Sequence, residues 1–278
     1  MGSNENNKRE SGGSVLYVYC IAETGPAKEI LAESSPPAIE DDAAVRLVES
    51  GNLAAIVSSV SIASYGEERL SENLTDASWT ALRAMRHEHV VEHFASRTSV
   101  VPLRFGTIYL ETGRIEKMLA ENSPRLKEIV ERLRDREEWG VNVYSDRTLL
   151  MSAITSLSPR LKDLAERAGT ASPGESYLLQ KKIETLKVDE ARAETNRAIG
   201  EIEELLRSES VDARRLRVLK VEATEHGELK AKFAFLIQRS HFQRFQSAAE
   251  KIARELKSSG ISLELTGPWP AYNFAGEQ

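Results

Sequence analysis

Leu229-Lys230-Ala231-Lys232-Phe233-Ala234-Phe235-Leu236-Ile237 decides how the second half of this chain is read. Leu229, Phe233, Phe235 and Ile237 recur at the period of a strand and share one wholly apolar face, which needs helices over it. Upstream, Leu216 to Ala223 reads as a partner strand, and Gly227 between the two supplies a hairpin turn. Further out lie a strand at Val141 to Tyr144, a helix from His241 to Lys257, and an alternating run, Ile261 to Leu265, with Ile261, Leu263 and Leu265 on one side. The order is β-α-β-β-α-β, that of a ferredoxin-like sandwich.

The first crossover is oversized. Ser158-Pro159 restarts a helix that ends near Gly169, and Ser172-Pro173-Gly174-Glu175 is a capping box with proline in the first turn. No proline interrupts the chain from there to about Ser208, room for a helix of roughly 50 Å. Leu179, Ile183, Leu186, Ala198, Ile202 and Leu205 form a thin apolar stripe, so an antiparallel helical hairpin over about 146–208 is expected to stand partly off its domain. Ahead of it, Val15 to Ile21 and Leu53 to Val60 read as strands, with a loop at Pro26, Pro36 and Pro37. A short helix is expected from Asp41, with Ala44, Leu47 and Val48 inward and Gly51 as its C-cap. A longer helix runs from a cap at Thr75 or Asp76 to about Arg97, then a short apolar strand, Ser99 to Phe105. Two further helices follow, Glu111 to Glu121 and Pro124 to Glu137, the second capped by Ser123. The expected fold is therefore α+β in two domains. They comprise a disordered leader (1–13), an N-terminal α+β domain (14–138), the ferredoxin-like domain (139–266) and an aromatic C-terminal tail (267–278).

Composition restricts function. At 41% hydrophobic residues the 278-residue chain has ample material for cores. No apolar run approaches the ~20 residues of a membrane span, and Met1 to Gly13 lacks the apolar core of a signal peptide, so a cytoplasmic protein without a membrane role is expected. The lone cysteine, Cys20, lies in an apolar run and reads as a buried thiol. Up to Glu138 there are 16 basic and 23 acidic residues, net −7; after it 21 and 20, net +1. The acidic half argues against a nucleic-acid groove there.

No cofactor, metal or catalytic motif emerges. His87, His89 and His93 with Glu88 and Glu92 resemble a ligand cluster, but Val91 stands where the zinc-protease pattern requires histidine. His89 shares a stripe with Leu82 and Met85, which makes it the half-buried member, while His87 and His93 point elsewhere. Phosphate loops and nucleophile elbows are missing. The competing function is RNA binding, because Phe233 and Phe235 fall where an RNA-recognition sheet carries stacking aromatics, with Arg214, Arg215, Arg217 and Lys220 nearby. Against it, Lys232 replaces the required glycine and Gln238 the last aromatic, and the apolar face fits a core better.

The end of the chain, Gly267-Pro268-Trp269-Pro270-Ala271-Tyr272-Asn273-Phe274, packs two prolines and three aromatics into eight residues. Prolines that cannot donate to a sheet leave it as an extended edge or as irregular chain laid on the protein, with aromatics that need a surface. This octet, Val100-Val101-Pro102-Leu103-Arg104-Phe105-Gly106, the Glu138-Trp139-Gly140-Val141 step and Phe233-Ala234-Phe235-Leu236 together resemble the gas vesicle F/L family (GvpF/GvpL), in order and over nearly the whole chain from Ser14. Ala271 departs from the family, where a second proline is usual. The resemblance implies a minor structural or accessory protein of gas vesicle formation, not an enzyme, working at the gas vesicle with the small hydrophobic shell protein GvpA and other gas vesicle proteins. Candidate partner-binding residues are Trp269, Pro270, Tyr272 and Phe274 in the tail, and Arg104, the one charge of its apolar strand. Arg104 is expected either to pair with a carboxylate inside its domain or to point into the groove between domains.

Overall fold

The computed structural model describes residues 13–218, 223–224 and 227–276. The chain divides into two compact units: residues up to Asp135 together with those from Pro270 onward, and Arg136–Trp269. The first unit contains β1 (Ser14–Glu23), α1 (Thr24–Glu33), β2 (Val45–Ser50), β3 (Leu53–Ser61), α2 (Ile62–Tyr65), α3 (Glu67–Asn73), α4 (Ala77–Ala95), β4 (Val100–Pro102), β5 (Ile108–Tyr109), α5 (Thr112–Glu121) and α6 (Ser123–Leu133). Its antiparallel sheet runs β2-β3-β1-β4, with β5 pairing the first half of β1.

β1 is buried from Val15 to Ala22, as a central strand covered on both faces must be. A bulge between Val18 and Cys20 inserts Tyr19, so that Tyr17 before it, Tyr19 itself, and Cys20 and Ala22 after it all join the same core. The core is completed by Val90, Val91 and Phe94 of α4, while α5 packs on β2 and β3.

Several expectations for this unit are corrected. The helix expected over Pro124 to Glu137 ends at Leu133 and is preceded by Asn122 at its N-cap, with Ser123 inside the helix and a strand beginning at Arg136. The segment expected as a helix from Asp41 holds β2, hydrogen-bonded along β3 from Val45↔Ser58 to Ser50↔Leu53. Gly51 has φ 62° and begins the turn between the strands. A glycine at positive φ closes a helix or a hairpin equally well, and pairing with the buried β3 decides between them. The loop expected at Pro26 is the first turn of α1, where an absent N–H costs no helical bond; Pro36 and Pro37 follow the helix end.

The second unit contains β6 (Arg136–Ser145), α7 (Arg147–Leu157), α8 (Pro159–Thr170), α9 (Pro173–Ser208), β7 (Asp212–Leu216), β8 (Ala223–Thr224), β9 (Gly227–Gln238), α10 (Phe242–Leu256) and β10 (Ile261–Trp269). Its sheet runs β10-β6-β9-β7, every pair antiparallel, with β8 on the start of β9. Fourth, first, third, second is the order that two interleaved β-α-β crossovers produce. The second strand of that set, β7, lies earlier than expected. Residues 219–222 of the expected strand, and His226, lie outside the described residues. β10 runs on to Trp269, beyond the expected end at Leu265.

The helices of this unit follow from their burial. Val141, Val143, Phe233, Phe235 and Ile237 face Ala198, Ile199, Ile202 and Leu206 of α9 and Phe245, Ala249, Ile252 and Leu256 of α10. The first half of α9 belongs to a different cluster, with Ile183 and Ala191 packed with Leu150 and Ile154 of α7 and Leu161 and Leu164 of α8. One 36-residue helix, about 54 Å long, thus covers the sheet with its C-terminal half and forms a helical arm with its N-terminal half.

Candidate functional site

α4 carries the polar centre of the first unit. Asp76 caps it, its carboxylate accepting from the N–H of Ser78 and Trp79. Its inward stripe is His87, Val90, Val91 and Phe94, spacings of three and four that suit a helix laid on a sheet. This reverses the expectation for the histidines: His87 is 2% exposed, whereas His89, Leu82 and Met85 face solvent. The β-branched and aromatic residues of the last two turns set the face, and the earlier Leu and Met lie off it. His93 is held at the carbonyl of Ser34, 3.1 Å from Nε2. The histidines do not converge, and no group of three His, Cys, Asp or Glu among the described residues could hold a metal.

His87 links two tyrosines that are far apart in sequence. Its Nδ1 lies 2.8 Å from the Tyr17 hydroxyl and its Nε2 3.1 Å from the Tyr272 hydroxyl. Tyr272 in turn donates to Glu88 Oε2 at 2.9 Å, and the Gly106 N–H donates to the Tyr17 oxygen at 3.1 Å. One proton arrangement satisfies all four contacts: Gly106 N–H to Tyr17, Tyr17 O–H to Nδ1, Nε2–H to Tyr272, Tyr272 O–H to Glu88. It requires neutral His87. Burial lowers that group to about 4, against a weaker upward pull from the backbone at Leu103. Burial pushes Tyr17 and Tyr272 up and raises Glu88, so the hydroxyls keep their protons. Beside this chain, Tyr65 donates to Glu40, which also accepts two bonds from Arg83 at 2.8 and 3.1 Å.

The tail is therefore part of the first unit. Phe274 and Pro270 are buried, Tyr272 is half-buried, and Arg132 donates to the Phe274 carbonyl. Trp269 is different: it ends β10 at 48% exposure, its Nε1 donating to Thr266 Oγ1 at 3.2 Å. Arg104 lies exposed on a turn, its carbonyl accepting from Thr107. It is thus not a charge inside a strand, since β4 ends at Pro102. Cys20 is buried, and burial pushes its thiol up, as expected of an inert group. Phe233 and Phe235 are sealed beneath α9 and α10, so they offer no face to a base.

Sequence reasoning offers the helical arm either as a supporting flank or as a partner-binding arm, but names no residue at its turn. Tyr177 and Leu178, at the start of α9, are 64% and 66% exposed. The only sequence signal for them is negative, since neither lies on the stripe running through Leu179 and Ile183. No helix among the described residues is long and apolar enough to cross a membrane.

A family model described as "Gas vesicle synthesis protein GvpL/GvpF" matches residues 15–276. The chain is 28% identical to gas vesicle protein L of Streptomyces sp. (strain CB03234) over 94% of its own length and 92% of that protein's. It is 26% identical to gas vesicle protein F of the same strain, covering 93% and 98%. The crystal structure of GvpF from Anabaena sp. PCC7120 superposes with a TM-score of 0.65 at 17% identity, over 96% of this chain and 98% of that one. GvpF from Microcystis aeruginosa gives 0.62 at 18%, over 95% and 99%. At those identities the likeness establishes a shared fold.

Proposed function

We propose that this chain, which belongs to the gas vesicle synthesis protein GvpL/GvpF family and so has an accessory role in gas vesicle formation, binds the hydrophobic shell protein GvpA during assembly. The observation that carries the reading is the pair Tyr177 and Leu178, held in solvent at the turn of the helical arm. Two adjacent large apolar side chains gain about 1.5–3 kcal/mol each when a partner buries them. A shell subunit exposes apolar surface until it enters the shell, and side chains already held in solvent can cover that surface without unfolding anything. Trp269 and Arg104 are the secondary candidates, because they are the members of the tail and loop set that face solvent. Pro270, Tyr272 and Phe274 act in this reading by seating the tail.

The test is capture of co-expressed GvpA by this chain and by variants in which exposed side chains alone are changed. Tyr177→Ser with Leu178→Ser is expected to lower capture roughly tenfold or more, the loss of one well-buried apolar anchor. Trp269→Ser and Arg104→Met resolve the secondary candidates. Truncation after Thr266 is a poorer experiment, because it also removes Tyr272 and Phe274 from the core of the first unit. Full capture by every folded variant rejects the reading.

A further inference from the structure

A cavity of about 390 Å³ opens in the second unit between α7, α9 and the adjoining ends of β6 and β9. Its floor is apolar: Leu150 and Met151 from α7, Ala191 and Ile199 from α9. Arg147 and Arg192 stand at its rim, both exposed. Neither makes an ion pair among the described residues, and in this they differ from the other arginines of the insertion. Arg160 pairs with Glu190, Arg167 with Asp163, Arg197 with Glu194 and Glu201, and Arg207 with Glu203. The remaining rim charges, Lys230 and Glu228, neutralise each other at 2.6 Å. Among the described residues the rim therefore carries two guanidinium groups without an ion partner over an apolar floor.

The surface continues along α9. Lys181, Thr185, Val188 and Arg192 follow one another at steps of three and four and are all exposed, so one exposed helix face adjoins the cavity. We infer that this cavity is a docking site for an acidic amphipathic segment of a partner protein, one apolar side chain entering between α7 and α9 and its carboxylates meeting Arg147 and Arg192. The cationic rim selects the charge, and a guanidinium holds a carboxylate through paired N–H groups. The apolar floor selects a peptide over a phosphate backbone, which has nothing to place there. The site is separate from the turn of the arm and does not depend on the shell-protein reading.

The probe is a short fluorescein-labelled peptide with leucines and glutamates at helical spacing, followed by anisotropy on the full chain. Controls are the same peptide with lysine for every glutamate and a labelled single-stranded RNA. Binding of the acidic peptide is expected, weakening as salt is raised, and falling roughly tenfold or more in the double variant Arg147→Glu, Arg192→Glu. Val188→Asp, an exposed change at the cavity, is expected to weaken it as well, while Lys162→Glu on α8, which contributes no residue to the cavity, leaves it unchanged. If the double variant unfolds, Val188→Asp decides. Undiminished binding in these variants, equal binding of the lysine peptide, or preference for the RNA would overturn the inference. Because the peptide carries no shell-protein sequence, its failure leaves the capture experiment standing.

Discussion

His87→Phe separates the two roles of the buried histidine, hydrogen-bonding centre and latent base. Phenylalanine fits the site, which is walled by the rings of Tyr17, Tyr19, Phe105 and Tyr272 at centroid distances of 5.6, 5.8, 5.9 and 6.5 Å. It leaves the Tyr17 hydroxyl without its acceptor and removes the donor to Tyr272, a loss of about 2–3 kcal/mol at pH 7 for two buried hydrogen bonds. Lowering the pH protonates position 87 in the wild type alone. His87 titrates near 4 when folded against 6.5 when unfolded. Between those values the unfolded chain binds more protons, so stability falls as pH falls through this window and levels off below it. The full span is worth about 3 kcal/mol. Glu88, raised by burial, contributes with the opposite sign, because its folded form takes up a proton at higher pH than its unfolded form; present in both proteins, it cancels from the difference. The variant is thus expected to be 2–3 kcal/mol less stable at pH 7 and about equal to wild type near pH 4. The assay is urea unfolding followed by Trp79, the tryptophan of the first unit, after Trp139→Phe and Trp269→Phe. A gap between the two proteins that stays constant from pH 7 to pH 4 would refute a neutral, buried His87.

Three further outcomes follow from the same geometry. Tyr272→Phe removes a donor to the Glu88 carboxylate and is expected to cost about 1.5–3 kcal/mol in Trp79-detected unfolding. Phe274→Ala empties a fully buried site in the same unit and is expected to cost about 3–5 kcal/mol by that probe, with little change in the second unit. Gly260→Ala acts on the second unit alone. Gly260 has φ 73°, and an added Cβ would lie 2.7 Å from the backbone nitrogen of Leu150. A loss above about 2 kcal/mol is expected, read from Trp139 fluorescence with the other tryptophans replaced.

The second unit was legible because its local signals agree with its packing. The inward residues of β9 and β10 and the proline starts of α8 and α9 each specify the element that tertiary structure retains. Even the division of α9 between two clusters leaves a trace, the polar run from Asp189 to Thr195 that joins the two apolar stretches. The first unit was less so, because its signals are shared between alternatives. Gly51 suits a helix end or a hairpin, and α4 has apolar residues on two sides, of which packing against β1 selects one.

The His87 chain is of another kind, since it joins Tyr17, His87 and Tyr272, separations of 70 and 185 residues. No periodicity reports a contact of that range. What the sequence does hold is a misfit. His87-Glu88 precedes Val90, Val91 and Phe94 on a helix whose buried face should be apolar throughout. A histidine on such a stripe with a glutamate at its edge must find donors and acceptors somewhere, because leaving them unmet costs more than an apolar residue would. On that argument His87-Glu88 predicts a distant polar partner without naming it, and a C-terminal tail dense in aromatics, one of them a tyrosine, is the segment of this chain best able to supply it.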